Sequence, residues 1–197
     1  MDIKPDNLLV DSSLSSILIC DFGSAQWATS YRTINSYLAS RFYRAPEIIL
    51  GIPYSFASDC WALGCVFYEL YTGQILFQGG NSNEMLREVM EVKGPFPKRR
   101  VLSRGVFTST YFDEDGLFME CGKDPLTQRS IVRKYIVKSP KKHLLTMLKQ
   151  HSPNPNDPKE CRKLGQLADL LEQMLDLDPE KRITPTQALK HAFIVER

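Results

Sequence analysis

Near its start the chain sets a carboxylate, a lysine, an amide and a second carboxylate in short order: Asp2, Lys4, Asn7 and Asp21. A loop carboxylate can accept a hydroxyl proton and aim the oxygen that loses it. Amide and carboxylate oxygens are hard ligands that suit Mg²⁺, and a lysine offers an anion a compact positive charge. The same residues have plainer uses, Asp2 as a loop cap and Asp21 as a turn residue. Their company weighs against those uses. Asp2-Ile3-Lys4-Pro5-Asp6-Asn7 is followed by Asp21-Phe22-Gly23, Ala45-Pro46-Glu47, Asp59-Cys60-Trp61 and Asp178-Pro179-Glu180-Lys181-Arg182. Any one such string arises by chance in 197 residues; the ordered set is a strong signal.

Such side chains need loops held by a firm scaffold, and residues 1–7, polar and carrying Pro5, read as a loop. The apolar runs Leu8-Leu9-Val10 and Ile17-Leu18-Ile19-Cys20 flank Asp11-Ser12-Ser13 and predict a small β-hairpin. Residues 21–47 form a long, mostly irregular segment rich in Ser, Thr and Tyr, and connections of that length are usually functional or disordered. Residues 57–71 are the clearest helix. Apolar side chains cover nearly its whole circumference, which predicts a buried central helix, and Gly73 ends it. Residues 82–92 predict an amphipathic helix with Met85, Leu86, Val89 and Met90 inward and Gly94 as its stop. Residues 94–161 read as irregular apart from one helical piece at 142–150, and 152–158 is loop by composition. Leu164, Leu167, Leu170, Leu171, Met174 and Leu175 recur at helical spacing. Thr184-Pro185-Thr186-Gln187 joins an N-cap, a first-position proline and a capping-box Gln, so a last helix starts there. No internal repeat or second domain is visible.

With 43% hydrophobic and 24% charged residues, the composition is that of an ordinary soluble globular domain with one sizeable core. A net charge of +2 is too small to argue for nucleic acid or a membrane surface as the main partner. Two basic clusters, Lys98-Arg99-Arg100 and Lys141-Lys142-His143, read as solvated turns, with a docking patch for an acidic partner as the alternative. The five cysteines are odd in number and form no C-x-x-C pair, so reduced thiols fit better than disulfides or zinc. Cys20, Cys60 and Cys65 lie in apolar surroundings and read as small core residues. His143, His151 and His191 form no constellation. There is no signal-peptide pattern and no apolar stretch long enough to span a bilayer, so a soluble, intracellular protein is expected.

The ordered motifs resemble the catalytic loop, metal-binding triplet and activation-segment end of eukaryotic protein kinases, and the likeness runs from the first residue to the last. It implies a mainly α fold: the C-terminal lobe of a protein kinase over residues 1–197, with a small β-hairpin at the catalytic cleft and the N-terminal lobe absent. It implies ATP and Mg²⁺ as cofactors and protein hydroxyls as acceptors. By this resemblance Asp2 accepts the substrate proton, Lys4 meets the γ-phosphate, and Asn7 and Asp21 hold the metal. Gly23 lets the backbone turn sharply and Phe22 packs inward. Ser40 falls where the family places a hydroxyl bonded to Asp2 and Lys4. Glu47 and Arg182 match a buried ion pair that locks the lobe. Asp59 matches a buried carboxylate that holds the catalytic-loop backbone from the central helix. Lys4-Pro5 is the pattern of Ser/Thr-specific members.

The run Tyr37-Leu38-Ala39-Ser40-Arg41-Phe42-Tyr43-Arg44-Ala45-Pro46-Glu47 is similar to the CMGC group, which includes cyclin-dependent, MAP and DYRK-type kinases. There Tyr37 takes the place of an activating phosphotyrosine, with Arg41 and Arg44 to meet its phosphate. An activation segment at 21–47 and a CMGC-type insert at 94–161 follow from the same likeness. Cys20-Asp21-Phe22-Gly23-Ser24-Ala25, Ser40-Arg41-Phe42-Tyr43-Arg44 and Tyr68-Glu69-Leu70-Tyr71-Thr72-Gly73 bring it nearest to DYRK-related pre-mRNA-processing kinases. A weaker contribution comes from Arg104-Gly105-Val106-Phe107. That implies a nuclear protein acting on splicing factors rich in Ser, Arg and Pro, without direct nucleic-acid contact. Only Met1 precedes Asp2 where the family has His-Arg, and no Gly-rich loop or V-A-I-K-type lysine is present. The chain alone is therefore expected to transfer phosphate negligibly, and its central helix to expose an apolar patch. The second reading is a non-catalytic module that docks substrates or competes with a full kinase. A structural protein that borrowed the fold has little support.

Overall fold

The computed structural model describes residues 1–27, 38–124 and 126–196. Among them the chain is mostly helical, with two small antiparallel sheets of two strands each. Helix α1 spans Pro46–Leu50 and α2 spans Phe56–Thr72. Ser55 caps α2 by accepting from the Ala57 N–H, and Gly73 closes it at a φ of 69°, a left-handed turn that glycine adopts without steric cost. Trp61 is wholly buried in α2 and stacks on Phe77, with ring centroids 5.7 Å apart. Helix α3, Ser82–Lys93, turns Met85, Leu86, Val89 and Met90 into the same core, as its periodicity requires. Helices α5, Leu144–Lys149, and α6, Pro158–Met174, pack on each other and on α2.

Gly64 brings the central helix close to the end of α6. A Cβ added to Gly64 would come within 3.0 Å of Leu175 and 3.2 Å of Met174, so any side chain there would make these neighbours give by a few tenths of an ångström. Leu164, Leu167 and Leu171 fill the rest of the seam, and full burial of such side chains contributes roughly 1.5–3 kcal/mol each. The expected loss of cover on α2 is narrow: Phe56 and Leu70 stand out while Trp61 and its neighbours are sealed. Apolar exposure concentrates instead on the first hairpin, β1 (Leu8–Val10) and β2 (Ile17–Ile19), where Leu9, Val10, Ile17, Leu18 and Ile19 all face outward.

Residues 94–161 depart from the sequence expectation. They hold a 3-10 turn at Leu102–Arg104, helix α4 at Thr108–Tyr111, and a second hairpin, β3 (Phe118–Lys123) with β4 (Ser130–Tyr135). Its register runs from Phe118 opposite Tyr135 to Lys123 opposite Ser130. Only the end bearing Phe118 and Tyr135 touches the core, through an aromatic file Phe96–Phe112–Phe118–Tyr135 with successive centroids 5.9, 5.4 and 5.8 Å apart. The far end has solvent on both sides, so its side chains show no polar–apolar alternation from which to read a strand.

The start of the last helix forms as expected, with the reciprocal Thr184–Gln187 capping box in place. It lasts a single turn, α7 at Pro185–Ala188. The chain then restarts as α8, Ala192–Val195, where the His191 ring caps the new N-terminus by accepting from the Phe193 N–H at 3.2 Å. All five thiols are free. Cys60 and Cys65 are buried, Cys20 is only half-covered at the edge of the first hairpin, and Cys121 is exposed. Among the described residues no helix is long and apolar enough to cross a membrane.

Candidate active site

The loop before β1 is wound tightly by a 3-10 turn at Pro5–Asn7, which brings Asn7 back over Asp2. Asn7 is buried, and its side-chain amide donates to the Asp2 carbonyl at 2.7 Å, a bond that does not use its own oxygen, Oδ1. The Cys20 N–H donates to the Asn7 carbonyl at 2.9 Å, which sets Asp21 directly beside Asn7 at the end of β2. Asp21 is exposed and sits at a φ of 57°. The sharp turn expected at Gly23 is therefore made by Asp21 itself, whose Oδ1 accepts from the Gly23 N–H at 3.2 Å. Phe22 does not pack inward as expected. It is 62% exposed, because among the described residues nothing covers the hairpin edge it joins.

Asp2 is the most constrained carboxylate of the cluster. Its Oδ1 accepts the Ser40 N–H at 2.6 Å, its Oδ2 accepts the Ser40 hydroxyl at 2.9 Å, and Lys4 Nζ lies 3.2 Å from the same Oδ2. Lys4 Nζ also donates to Ser40 Oγ at 3.2 Å, closing a triangle of acid, base and hydroxyl. Partial burial pushes the Asp2 pKa up, but the Ser40 and Lys4 hydrogen bonds and the lysine charge outweigh it and leave the pKa below the usual carboxylate value. Asp2 is thus an anion at neutral pH with both oxygens aimed. A cavity of about 450 Å³ opens here, lined by Asp2, Asp21, Gly23, Leu38, Ala39 and Ser40. A larger cavity of about 560 Å³ is lined by Ala25, Tyr54 and Phe56 among others, and touches neither Asp2 nor Asp21.

The Asn7 amide oxygen and the exposed Asp21 carboxylate are hard oxygen donors on neighbouring loops. Such donors fit Mg²⁺, which takes one or two protein oxygens and fills its remaining positions with phosphate and water. Among the described residues no cluster of three His, Cys, Asp or Glu side chains offers another metal site.

Behind this front, a second tier fixes the loops. Glu47 and Arg182 pair in two bonds of 2.6 and 3.0 Å, with both side chains fully buried. The guanidinium also donates to the Ala57 and Asp176 carbonyls and lies over the Trp61 ring at 5.2 Å. Asp59 is only partly buried, contrary to expectation, because it sits one turn into α2 where the helix emerges from the core. Its Oδ1 accepts from the Met1 amino group at 2.9 Å and so ties α2 to the residue before Asp2. Arg41 is exposed at the start of a 3-10 turn. Arg44 is buried, and its Nε and Nη2 donate to the Leu38 and Ala39 carbonyls at 2.9–3.3 Å. Ala39 takes a φ of 65°, unusual for a residue with a side chain, and this clamp holds it there next to Ser40. No sequence signal marks that strained position. The Tyr43 hydroxyl donates to Glu69 at 2.6 Å, a tie from this segment to α2 that sequence reading missed. Tyr37 lies outside the described residues.

The protein kinase domain family matches residues 1–194. The chain belongs to the protein kinase family. It is 46% identical over 196 residues to the serine/threonine-protein kinase prp4 of Schizosaccharomyces pombe, covering all of this chain and 40% of that one. It is 42% identical over 193 residues to the serine/threonine-protein kinase prpf4B of Dictyostelium discoideum, covering 98% of this chain and 23% of that one. Dual specificity tyrosine-phosphorylation-regulated kinase 4 of Homo sapiens is 36% identical over 194 residues, 98% of this chain and 33% of that one. These relatives agree with the CMGC resemblance, and the kinase chain spans at most 40% of their lengths.

Proposed function

We propose that this chain is the catalytic lobe of a Ser/Thr protein kinase, moving the γ-phosphoryl group of ATP to a Ser or Thr hydroxyl of a protein. The observation that supports it most is the Asp2–Lys4–Ser40 triangle, whose Asp2 and Ser40 line a polar cavity that Asp21 also lines. In this reading Asp2 aims the acceptor hydroxyl and receives its proton, while Ser40 and Lys4 keep the carboxylate ionised and still. The Lys4 ammonium faces the anionic phosphoryl oxygens. Mg²⁺, held by Asn7 and Asp21, would supply the neutralising charge that phosphate oxygens need. Arg44 and Ala39 set the shape of the backbone that an acceptor segment meets.

Residues 1–197 are then the C-terminal lobe, 21–47 the activation segment and 94–161 the insert. Tyr37 is the regulatory phosphosite, with Arg41 and Arg44 as the arginines that meet its phosphate. The resemblance to DYRK-related pre-mRNA-processing kinases, with which the likeness to the serine/threonine kinases prp4 and prpf4B agrees, supports nuclear substrates among Ser/Arg/Pro-rich splicing factors. The exposed apolar face of Leu9, Ile17 and Leu18 is where an N-terminal lobe and the nucleotide ring would lie, so the 197-residue chain alone should transfer phosphate negligibly. A non-catalytic docking module is the second reading, and the same uncovered face is what favours it.

A chimera separates them. This chain replaces the matching 46%-identical segment of the Schizosaccharomyces pombe prp4 kinase, and transfer of labelled phosphate to a Ser/Arg/Pro-rich peptide is measured. Transfer by the chimera, with none by the chain alone, is the expected result. A folded chimera that binds ATP but transfers nothing would overturn the catalytic reading.

A further inference from the structure

The chain's charge is segregated. Residues 123–150 carry eight Lys and Arg against one acid, Asp124, a net of +7; with a whole-chain charge of +2, the remainder is −5. Much of this charge lies on the second hairpin and the strap that follows it. Lys134 is tied to Asp113 at 3.1 Å and Lys142 to Glu91 at 2.9 Å. Lys123, Arg129, Arg133, Lys138 and Lys141 are exposed and make no ion pair among the described residues. The other basic cluster is committed differently: Arg100 lies 3.6 Å from buried Asp178, and Lys98 donates to the Glu114 carbonyl.

The two edges of the hairpin are unequal. Asn83 on α3 covers the outer edge of β3, donating to the Met119 carbonyl at 2.7 Å and accepting the Cys121 N–H at 3.0 Å. The outer edge of β4 has no such cover, since the sheet has only two strands and no other described element bonds to that side. The register puts Lys123, Val132 and Lys134 on one face, and Val132 and Ile136 are 57% and 61% exposed. An open edge accepts a further strand through its main-chain N–H and C=O groups, and alternate side chains then read the partner.

We propose that the open edge of β4 docks an extended acidic segment of a partner protein as a third strand. Its carboxylates would meet Lys123 and Lys138, which make no ion pair among the described residues, and its apolar residues Val132 and Ile136. The lysines repel a second copy of the same edge, which is how natural proteins block self-pairing, so an acidic strand is what this edge admits. Single-stranded nucleic acid fits less well. The hairpin's aromatic residues, Phe118 and Tyr135, are spent on the internal file, and no exposed ring remains there for base stacking.

The test uses the full 197-residue chain and a fluorescein-labelled octapeptide of alternating Val and Glu, read by fluorescence anisotropy. Its companions are the same peptide N-methylated at alternate residues and a labelled single-stranded uridine 12-mer. Binding that weakens with salt, falls about tenfold or more in Lys123→Glu/Lys138→Glu, and is lost on N-methylation is the expected result. Equal binding of the N-methylated peptide, an unchanged double variant, tighter binding of the RNA, or no peptide binding would each overturn the proposal. So would sedimentation as a dimer that the peptide does not dissociate. If the double variant fails to fold, the N-methylation arm on the unaltered chain still decides.

Discussion

The molecule carries two hairpins of the same topology with opposite surfaces. β1–β2 is short and exposes five aliphatic side chains beside the reacting carboxylates, whereas β3–β4 is twice as long and exposes lysine and arginine. Both loops are closed by an aspartate that folds back on them. Asp11 accepts from the Ser15 and Ser16 N–H groups, and Asp124 from the Leu126 and Thr127 N–H groups. Strand pairing therefore needs little from the side chains once a turn is capped and one end is anchored. What the strands display is left free to serve what they meet: an apolar cover in one case, a charged partner in the other.

Four substitutions or conditions should pull the two hairpins apart. The largest effect is expected from Asp2→Asn in the prp4 chimera, which removes the proton acceptor and should cut phosphate transfer by about 10²–10⁴-fold. Acidic-peptide binding at β4 should not change, and a loss at both sites would show that the hairpins are not independent. Next, Arg182→Met leaves Glu47 as an unpaired buried charge, which should cost about 3–5 kcal/mol in thermal or denaturant unfolding. Because that pair joins α1, the start of α2 and the turn after α6, the loss falls on the shared core and not on either hairpin alone. A smaller effect belongs to Asn83→Ala. It strips two hydrogen bonds from β3 and should speed amide exchange of Cys121, at a cost of about 1–3 kcal/mol, while β1–β2 keeps its protection.

The smallest effect is acid titration of the two turns. Hydrogen bonds from Ser13, Ser15 and Ser16 hold the Asp11 carboxyl down to about 2, against an ordinary value of 3.8, and those from Thr127 and Leu126 lower Asp124 in the same direction. A carboxylate whose pKa is depressed by folding stabilises its turn fully above the unfolded value, and that contribution is lost as pH falls through the folded one. The Ser15 and Thr127 amide resonances should thus hold constant from neutral pH to about 4 and shift together below it, in a window ending near 2 for Asp11. Shifts well above pH 4 would mean that the caps are not what closes these loops.

The first hairpin was legible because two all-apolar runs flank Asp11-Ser12-Ser13 with nothing to compete. The second was not, because charges fall on both its faces and the anchoring aromatics Phe96, Phe112, Phe118 and Tyr135 are scattered over 40 positions. The same divide runs through the site. Asp2, Lys4, Asn7 and Asp21 were readable as chemistry because their residue types and order are distinctive. The Arg44 clamp on the backbone of Leu38 and Ala39 was not, since carbonyl recognition leaves no trace in the type of the residue recognised. Net charge misled as well: a sum of +2 hides a basic strip set against an acidic body.

The rivet at Arg182 has a consequence in time. One guanidinium binds Glu47, the Ala57 carbonyl, the Asp176 carbonyl and the face of Trp61, and it lies 135 positions along the chain from Glu47. Protein synthesis delivers residues in order, at about 5–20 per second, so for many seconds Glu47 is present without its cation. A buried carboxylate cannot wait in the core unpaired. The segment from Ser40 to Leu50 that aims Asp2 therefore locks only after residue 182 has emerged, and a nascent polypeptide paused before it holds Asp2, Lys4, Asn7, Asp21 and Ser40 without the guanidinium that fixes their support.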